Sequence, residues 1–206
     1  MSQLSLLLLC FFIYIQNLNF THSLSSDGLS LFSLKSVVDH GGAGAFSDWN
    51  KNDSTPCRWT EISCTNISGF SDPRVSISGD STSTGNNFYG SIPDQLFNAS
   101  SLHSLFLYGN NLSGSLHHSL YNLPRLQNLD LSNNSISGPI PKDLRNCRKQ
   151  QHLILARNKF SGEISAGIWP EMANLVQLDL SSNNFSGSIL KDIGELKSLS
   201  GTLNLS

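Results

Sequence analysis

Two cysteines, Cys57 and Cys64, stand close enough in the sequence to react with each other. They enclose six residues in the segment P-C-R-W-T-E-I-S-C. In an oxidising compartment this compact spacing predicts a disulfide. Zinc binding is the alternative, but no second pair of Cys or His residues lies at the spacing of zinc ligands. We therefore expect a disulfide and no metal site.

No motif in the sequence predicts catalysis or a cofactor. The protein-kinase motifs V-A-I-K, H-R-D and D-F-G are absent, as are G-x-S-x-G and H-E-x-x-H. The glycine-rich segment 41–44 has no preceding strand that could build a phosphate cradle, so a loop is favoured. His117 and His118 have no carboxylate or cysteine partner nearby, which favours a surface position over a metal or base role. We expect a protein that is not an enzyme.

A sequence repeat determines where any binding residues of this chain would lie in the fold. Five asparagines recur at spacings of 24, 24, 24 and 25 residues, and a glycine follows each by four. The asparagines are Asn86, Asn110, Asn134, Asn158 and Asn183, and the glycines are Gly90, Gly114, Gly138, Gly162 and Gly187. The full pattern, L-x-x-L-x-L-x-x-N-x-[L/I/F]-S-G, is that of a leucine-rich repeat. A fixed period of this length predicts a repeat architecture.

Each repeat predicts one coil of an α/β repeat solenoid. The L-x-L pair alternates with polar residues, which indicates a short strand with one buried face. The asparagine then turns inward, where its amide can bond to the backbone of neighbouring coils. The glycine permits a turn that a Cβ would obstruct. Since stacked coils form a curved solenoid, we expect a right-handed leucine-rich-repeat superhelix with short parallel β-strands.

The start of the chain predicts export. The run 4–15 is apolar except for Ser5, a length that fits the core of a signal peptide and is too short to span a bilayer. A buried core helix is the alternative. We expect residues 1–23 to be a signal peptide, cleaved near Ser23, and no membrane span in the rest of the chain. A net charge of −2 gives no basic surface for nucleic acid.

Seven N-x-[S/T] sequons favour the same secretory route. They lie at Asn52, Asn66, Asn98, Asn111, Asn133, Asn184 and Asn204. In a chain rich in serine and asparagine some sequons arise by chance. We expect glycosylation at the first six.

Residues 24–69 resemble the N-terminal cap of plant leucine-rich-repeat receptor-like kinases. The resemblance rests on D-G-L-S-L-F-S-L-K-S-V-V-D, F-S-D-W-N and P-C-R-W-T-E-I-S-C. An apolar helical stripe is predicted at Leu29, Phe32, Leu34 and Val38. Ser26 or Asp27 is the expected N-cap of this helix. Trp49 and Trp59 are expected to cover the open end of the solenoid core.

The repeats at 86–206 resemble the plant type, whose pattern continues S-G-x-I-P, and the last repeat is incomplete. The segment 70–85 is predicted to be a degenerate first repeat. Val75 and Ile77 look like the start of a normal strand, but the positions that should be apolar before Asn86 carry serine. These serines are Ser78, Ser81 and Ser83.

Two residues replace leucine or its equivalents inside the predicted core. Gln150 stands where the other repeats have a core leucine. Cys147 aligns with apolar residues of the other repeats, which are Ala99, Leu123, Met172 and Leu196. We expect Cys147 to be a buried thiol without chemistry.

The strand face that remains exposed is the expected binding surface. Positions −6, −4, −2 and −1 from the repeat asparagine are predicted to face outward. Among them the candidate ligand-binding residues are Phe106, Tyr108, Asp130, His152, Ile154, Arg157 and Asp179. Exposed aromatics on a polar face are candidate anchors. A solvated face with incidental aromatics is the alternative.

The resemblance implies an extracellular or cell-surface binding module for a protein or peptide ligand, including another leucine-rich-repeat ectodomain. Full-length members of the family signal through a membrane helix and a kinase, which would place such a receptor at the plasma membrane. Two alternatives stay open. One is a secreted inhibitor similar to polygalacturonase-inhibiting proteins, and the other is a truncated gene product without function.

Overall fold

A computed structural model of the chain describes residues 24–38, 46–65, 74–78, 88–164, 166–188 and 191–206, which form a helical cap followed by stacked coils. The predicted signal segment 1–23, the glycine-rich segment 41–44, Asn66, Asn86 and the serines at 81 and 83 lie outside these ranges. Within the described ranges no helix has the length and apolar character to cross a membrane.

One side of the coils is a seven-stranded sheet, in which five neighbouring pairs are parallel and the first pair is antiparallel. Its strands, in spatial order, are β1 (Ile62–Thr65), β2 (Arg74–Ser78), β4 (Leu102–Phe106), β6 (Asn128–Asp130), β8 (His152–Ile154), β10 (Gln177–Asp179) and β12 (Leu203–Asn204). The parallel strands confirm the predicted α/β repeat solenoid, because strands of successive coils become neighbours only when the coils stack in register.

A second row of short strands follows the repeat asparagines. These strands are β3 (Tyr89–Ser91), β5 (Asn111–Ser113), β7 (Ser137–Gly138), β9 (Lys159–Glu163) and β11 (Asn184–Ser186). They form one two-stranded and one three-stranded parallel sheet. The chain then returns through short 3₁₀ helices at Asp94–Asn98, His118–Asn122, Lys142–Asn146, Trp169–Glu171 and Lys191–Glu195.

The repeat asparagines hold successive coils together as predicted. The Asn134 side chain donates to the carbonyl oxygens of Leu107 (2.9 Å) on the preceding coil and Leu131 (3.0 Å) on its own coil. Its Oδ1 accepts the backbone N–H of Leu112 at 2.9 Å. Asn158 and Asn183 bond to their two coils in the same way, and Asn110 makes the corresponding bonds to its own coil and to Phe88. The amides therefore pair backbone groups that no strand partner reaches.

The glycines that follow the asparagines all adopt a left-handed conformation. Their φ angles lie between 80° and 92°. Steric need is clearest at Gly114, where an added Cβ would lie 2.8 Å from the Cβ of Ser91 on the preceding coil. The glycine therefore permits both the turn and the close stacking of coils.

The cap helix α1 (Ser26–Val38) docks through a face that differs from the predicted stripe. Leu31 and Leu34 are fully buried, whereas Leu29 is 55% exposed, so its placement in the core was wrong. The reason is that Asp27 bonds to the backbone of Ser100 and Ser101, directly before β4. Residues 27, 31 and 34 share one helix face, and Leu29 points away from it. The N-cap is Ser25, whose Oγ accepts the N–H of Gly28 at 3.1 Å, and not Ser26 or Asp27.

The two cap tryptophans lie in the core, as predicted. Trp49 stacks on Trp59 and on Phe46, with ring centroids 4.9 and 4.0 Å apart, and Phe46 meets Phe88 of the first repeat. Each indole N–H has an acceptor, the Thr60 carbonyl for Trp49 and a carboxylate for Trp59. The aromatic stack therefore closes this end of the solenoid core.

The first repeat strand lies earlier in the sequence than the repeat period predicts. Leu105 of β4 pairs with Ile77 of β2, whereas the 24-residue spacing would place Ser81 there. Val75 and Ile77 are thus the apolar residues of this strand. Apolar residues at 78, 81 and 83, which the repeat period would require, are not needed to form it. The sheet accepts this shift because pairing with β4 depends on the apolar pattern and not on the distance to the next asparagine.

Candidate binding face

Four of the candidate residues form one line across the exposed face of the seven-stranded sheet, the concave side in solenoids of this kind. Phe106 pairs with Asp130, Asp130 with Ile154, and Ile154 with Asp179. We call Phe106, Asp130, Ile154 and Asp179 the central row. All four side chains are half-buried. Apolar and acidic residues therefore alternate from coil to coil.

Both aspartates of the central row are held by a serine two residues further on. The Oδ1 atom of Asp130 accepts the backbone N–H and the hydroxyl of Ser132, at 2.9 and 2.6 Å. Asp179 accepts the same two groups of Ser181 at 3.0 and 2.6 Å. In the described part of the chain, no cation forms an ion pair with either carboxylate. One oxygen of each carboxylate therefore remains available to a ligand.

The neighbouring row, at the amino ends of the strands, satisfies its own polar groups. Asn128 donates to the Ser104 hydroxyl at 2.9 Å. His152 Nδ1 lies 3.2 Å from Gln177 Oε1, within hydrogen-bond distance. His152, a predicted ligand-binding residue, is half-buried in this row and contacts the neighbouring strand.

Tyr108 and Arg157 lie at the carboxyl edge of the same face. Tyr108 is half-buried and Arg157 is exposed. Arg157 has a φ angle of 55°, and the equivalent residues Gly109, Asn133 and Ser182 share this left-handed conformation. The residue types at this position did not indicate the conformation, because glycine and asparagine favour such angles but arginine and serine do not.

Three positions predicted to face outward are closed to solvent. Ser104, Ala156 and Ser181 are buried although their positions lie on the sheet face. Neighbouring side chains cover these small residues. The accessible part of the face is therefore smaller than the pattern predicted, and the central row with Tyr108 and Arg157 dominates it.

The histidines and carboxylates of the described residues do not gather into a metal-binding cluster. No group of three His, Cys, Asp or Glu side chains that could hold a metal ion exists within the described ranges. His117 has a carboxylate neighbour that the sequence did not show, since its Nδ1 lies 3.7 Å from Asp94. The same nitrogen accepts the N–H of Ser119 and so caps a 3₁₀ helix. His118 is exposed.

The cysteines behave as predicted. Cys57 and Cys64 form a disulfide, with their Cα atoms 5.4 Å apart. Cys147 is a free, fully buried thiol whose Sγ faces the Leu120 carbonyl at 3.5 Å. Burial raises the pKa of the Cys147 thiol from 9.0 to about 12.

The chain is similar to plant leucine-rich-repeat receptors. Residues 24–65 match the leucine rich repeat N-terminal domain family, and 101–123, 125–147 and 174–196 match the leucine rich repeat family. A segment of 64 residues is 39% identical to a probable inactive leucine-rich repeat receptor-like protein kinase of Arabidopsis thaliana. That segment covers 31% of this chain and 9% of the relative, so the chain spans a small part of that protein's length.

Two solved structures show the same likeness over most of the chain. One is the BIR3–SERK2 complex from Arabidopsis thaliana, with 34% identity, a TM-score of 0.70 and coverage of 81% of this chain and 87% of that chain. The other is the Arabidopsis receptor kinase HAESA in complex with the peptide hormone IDA and the co-receptor SERK1. There the identity is 32% and the TM-score 0.61, and the match covers 85% of this chain and 33% of that chain.

Proposed function

This chain belongs to the plant leucine-rich-repeat receptor family as an ectodomain, and from that premise we propose that its concave face binds a protein or peptide ligand outside the cell. The observation that carries the proposal is the composition of that face. Phe106 and Ile154 lie half-buried on an open sheet face and alternate with the carboxylates of Asp130 and Asp179, which have no cationic partner among the described residues. Such a mixture of apolar anchors and polar groups is typical of interface centres.

Relatives support this choice of ligand class. The similar structures named above are complexes, one of BIR3 with SERK2 and one of the receptor kinase HAESA with a peptide hormone and a co-receptor. We therefore place peptide or co-receptor recognition, and not catalysis, at the concave face.

A displayed library of random peptides tests the binding role. Peptides that the protein enriches should lose affinity for the double variant Phe106→Ala/Tyr108→Ala by roughly 2–4 kcal/mol, as expected for a pair of anchors. Leu29→Ala serves as the control, because this apolar residue is exposed on the cap helix and not on the sheet. Enriched peptides that bind the double variant as well as the native protein would exclude the concave face.

We also propose that the protein travels the secretory route and carries N-glycans. The sequon asparagines at 52, 98, 111, 133 and 184 are all exposed, so attached glycans would not disturb the fold. Release of glycans from protein secreted by plant cells, in heavy-oxygen water, should leave a mass label at these positions. Peptides that are unlabelled at every position would contradict the proposal.

A further inference from the structure

We infer that the concave face selects a polyproline II ligand segment with two cationic side chains three residues apart, one over Asp130 and one over Asp179. This inference rests on the proposed function and adds the chemistry of the ligand. The central row is a continuous line of backbone partners, so the two carboxylates lie on alternate coils of one sheet. Ile154 separates them and offers an apolar contact between the two charges.

Charge complementarity identifies the ligand as cationic. Among the outward positions of β4, β6, β8 and β10 and the turns that follow them, the basic residues are His152 and Arg157. His152 is bonded to Gln177. Arg157 lies at the carboxyl edge of the sheet, three residues beyond Ile154, and forms no ion pair with described residues. The middle of the face is therefore acidic, and a lysine or arginine of a ligand would supply the missing partner.

Both carboxylates are already oriented before a ligand arrives. Since Ser132 and Ser181 each hold one carboxylate oxygen with two hydrogen bonds, rotation of the aspartates is restricted. Binding of a ligand then costs less free energy, because the two aspartate side chains are already ordered. The distance between the two charges is consequently a fixed property of the face, and this makes the spacing of ligand charges decisive.

The spacing favours one backbone conformation. Neighbouring strands lie about 4.8 Å apart, so residues on alternate coils are about 9.6 Å apart. A ligand in β-conformation repeats its side chains on one face every ~6.7 Å and misses this distance. A polyproline II helix has three residues per turn with a rise of about 3.1 Å each, which repeats one face every ~9.3 Å. A ligand of the form basic-x-x-basic, rich in proline, therefore places both charges over the aspartates.

Two labelled peptides of equal composition and charge test this inference by fluorescence anisotropy at low salt. One is Pro-Pro-Lys-Pro-Pro-Lys-Pro-Pro and the other is Pro-Pro-Lys-Pro-Lys-Pro-Pro-Pro. We expect the first to bind the native protein at least about threefold more tightly than the second, because only its charges reach both carboxylates. In the variant Asp130→Asn/Asp179→Asn, both peptides should bind about tenfold more weakly than the first binds the native protein, without preference.

The control variant is Asp143→Asn. It removes the same charge from the 3₁₀ helix Lys142–Asn146, outside the sheet, and should retain the preference. Equal affinity for the two peptides, absence of binding, or a preference that survives in the double aspartate variant would each overturn the inference. The proposed function would still stand if library peptides lose affinity for Phe106→Ala/Tyr108→Ala, and it falls only if they do not.

Discussion

The side chain of Asn158 donates a hydrogen bond to the carbonyl oxygen of Leu131 on the preceding coil, over 2.8 Å. Its Oδ1 atom accepts the backbone N–H of Ile136 at 3.0 Å. One buried amide thus joins two coils through backbone groups that lie outside the strands. The stacking of coils depends on such contacts as much as on the leucine core, because a buried backbone group without a partner is costly.

Substitution of Asn158 by alanine should lower the free energy of unfolding by about 1–3 kcal/mol, since it leaves the backbone N–H of Ile136 without its acceptor. Chemical denaturation followed by circular dichroism measures this loss. Asn146→Ala is the matched control, because Asn146 is exposed at the end of a 3₁₀ helix. Equal losses for the two variants would show that the amide ladder does not stabilise the solenoid.

Gln150→Leu should raise the free energy of unfolding by about 1–2 kcal/mol. Gln150 is fully buried, and its Oε1 has no hydrogen-bond partner among the described residues. Its Nε2 donates to the carbonyl oxygens of Gln127 and His152, but the Gln127 carbonyl also accepts two backbone N–H groups. Leucine would therefore remove the unpaired Oε1 atom of Gln150. It would also remove the Nε2 group that donates to the carbonyl oxygen of His152.

The melting temperatures of Gln150→Leu and Gln150→Ala separate the polar effect from the packing effect. Alanine also removes the unpaired oxygen but leaves a cavity, which should cost about 2 kcal/mol or more. A leucine variant less stable than the native protein would contradict the expected balance and point to a hydrogen bond that compensates Oε1.

Asp27→Ala should loosen the cap from the turn that precedes β4. The carboxylate accepts the backbone N–H groups of Ser100 and Ser101, each at 2.9 Å, and the hydroxyl of Ser101. Hydrogen bonds to a charged group contribute about 1.5–3 kcal/mol, so a loss of that size is expected. Fluorescence of Trp49 and Trp59 in a denaturant series reports the cap, and Asp143→Ala is the control. An unchanged midpoint would exclude a role for Asp27 in docking.

The buried thiol of Cys147 predicts a dependence of stability on alkaline pH. Its folded pKa is raised from 9.0 to about 12, so only the unfolded chain ionises between these values. The folded state is then favoured below pH 9 and loses free energy of unfolding between pH 9 and 12, by about 1.4 kcal/mol per pH unit. The same group should resist native thiol labelling at neutral pH and react after denaturation.

Cys147→Ala isolates this effect from other groups that titrate in the alkaline range. Its free energy of unfolding should fall less steeply above pH 9 than that of the native protein, although its packing is poorer. Parallel pH profiles of the two proteins, or rapid labelling of the native thiol, would contradict the buried position of Cys147.

The sequence by itself determined the repeat, the asparagine ladder, the glycine turns and the disulfide. Each depends on residue types at short, fixed distances along the chain. A buried amide must find backbone partners wherever the coil turns, as Asn134 does, and a left-handed turn selects glycine as at Gly114. The periodic leucines also determine which face of every strand is buried, because alternate residues of a strand lie on the same face.

The tertiary structure decided the features that depend on how one element meets another. Leu29 is exposed because Asp27 bonds to Ser100 before β4 and so sets which face of the cap helix is buried, a contact across more than seventy residues of sequence. Ile77 pairs with Leu105 because the register of two strands follows their apolar sequence pattern and not the repeat period. The alternation of the central row likewise arises only when coils stack in register, since Asp130 and Asp179 become neighbours of Ile154 through the sheet and not through the chain.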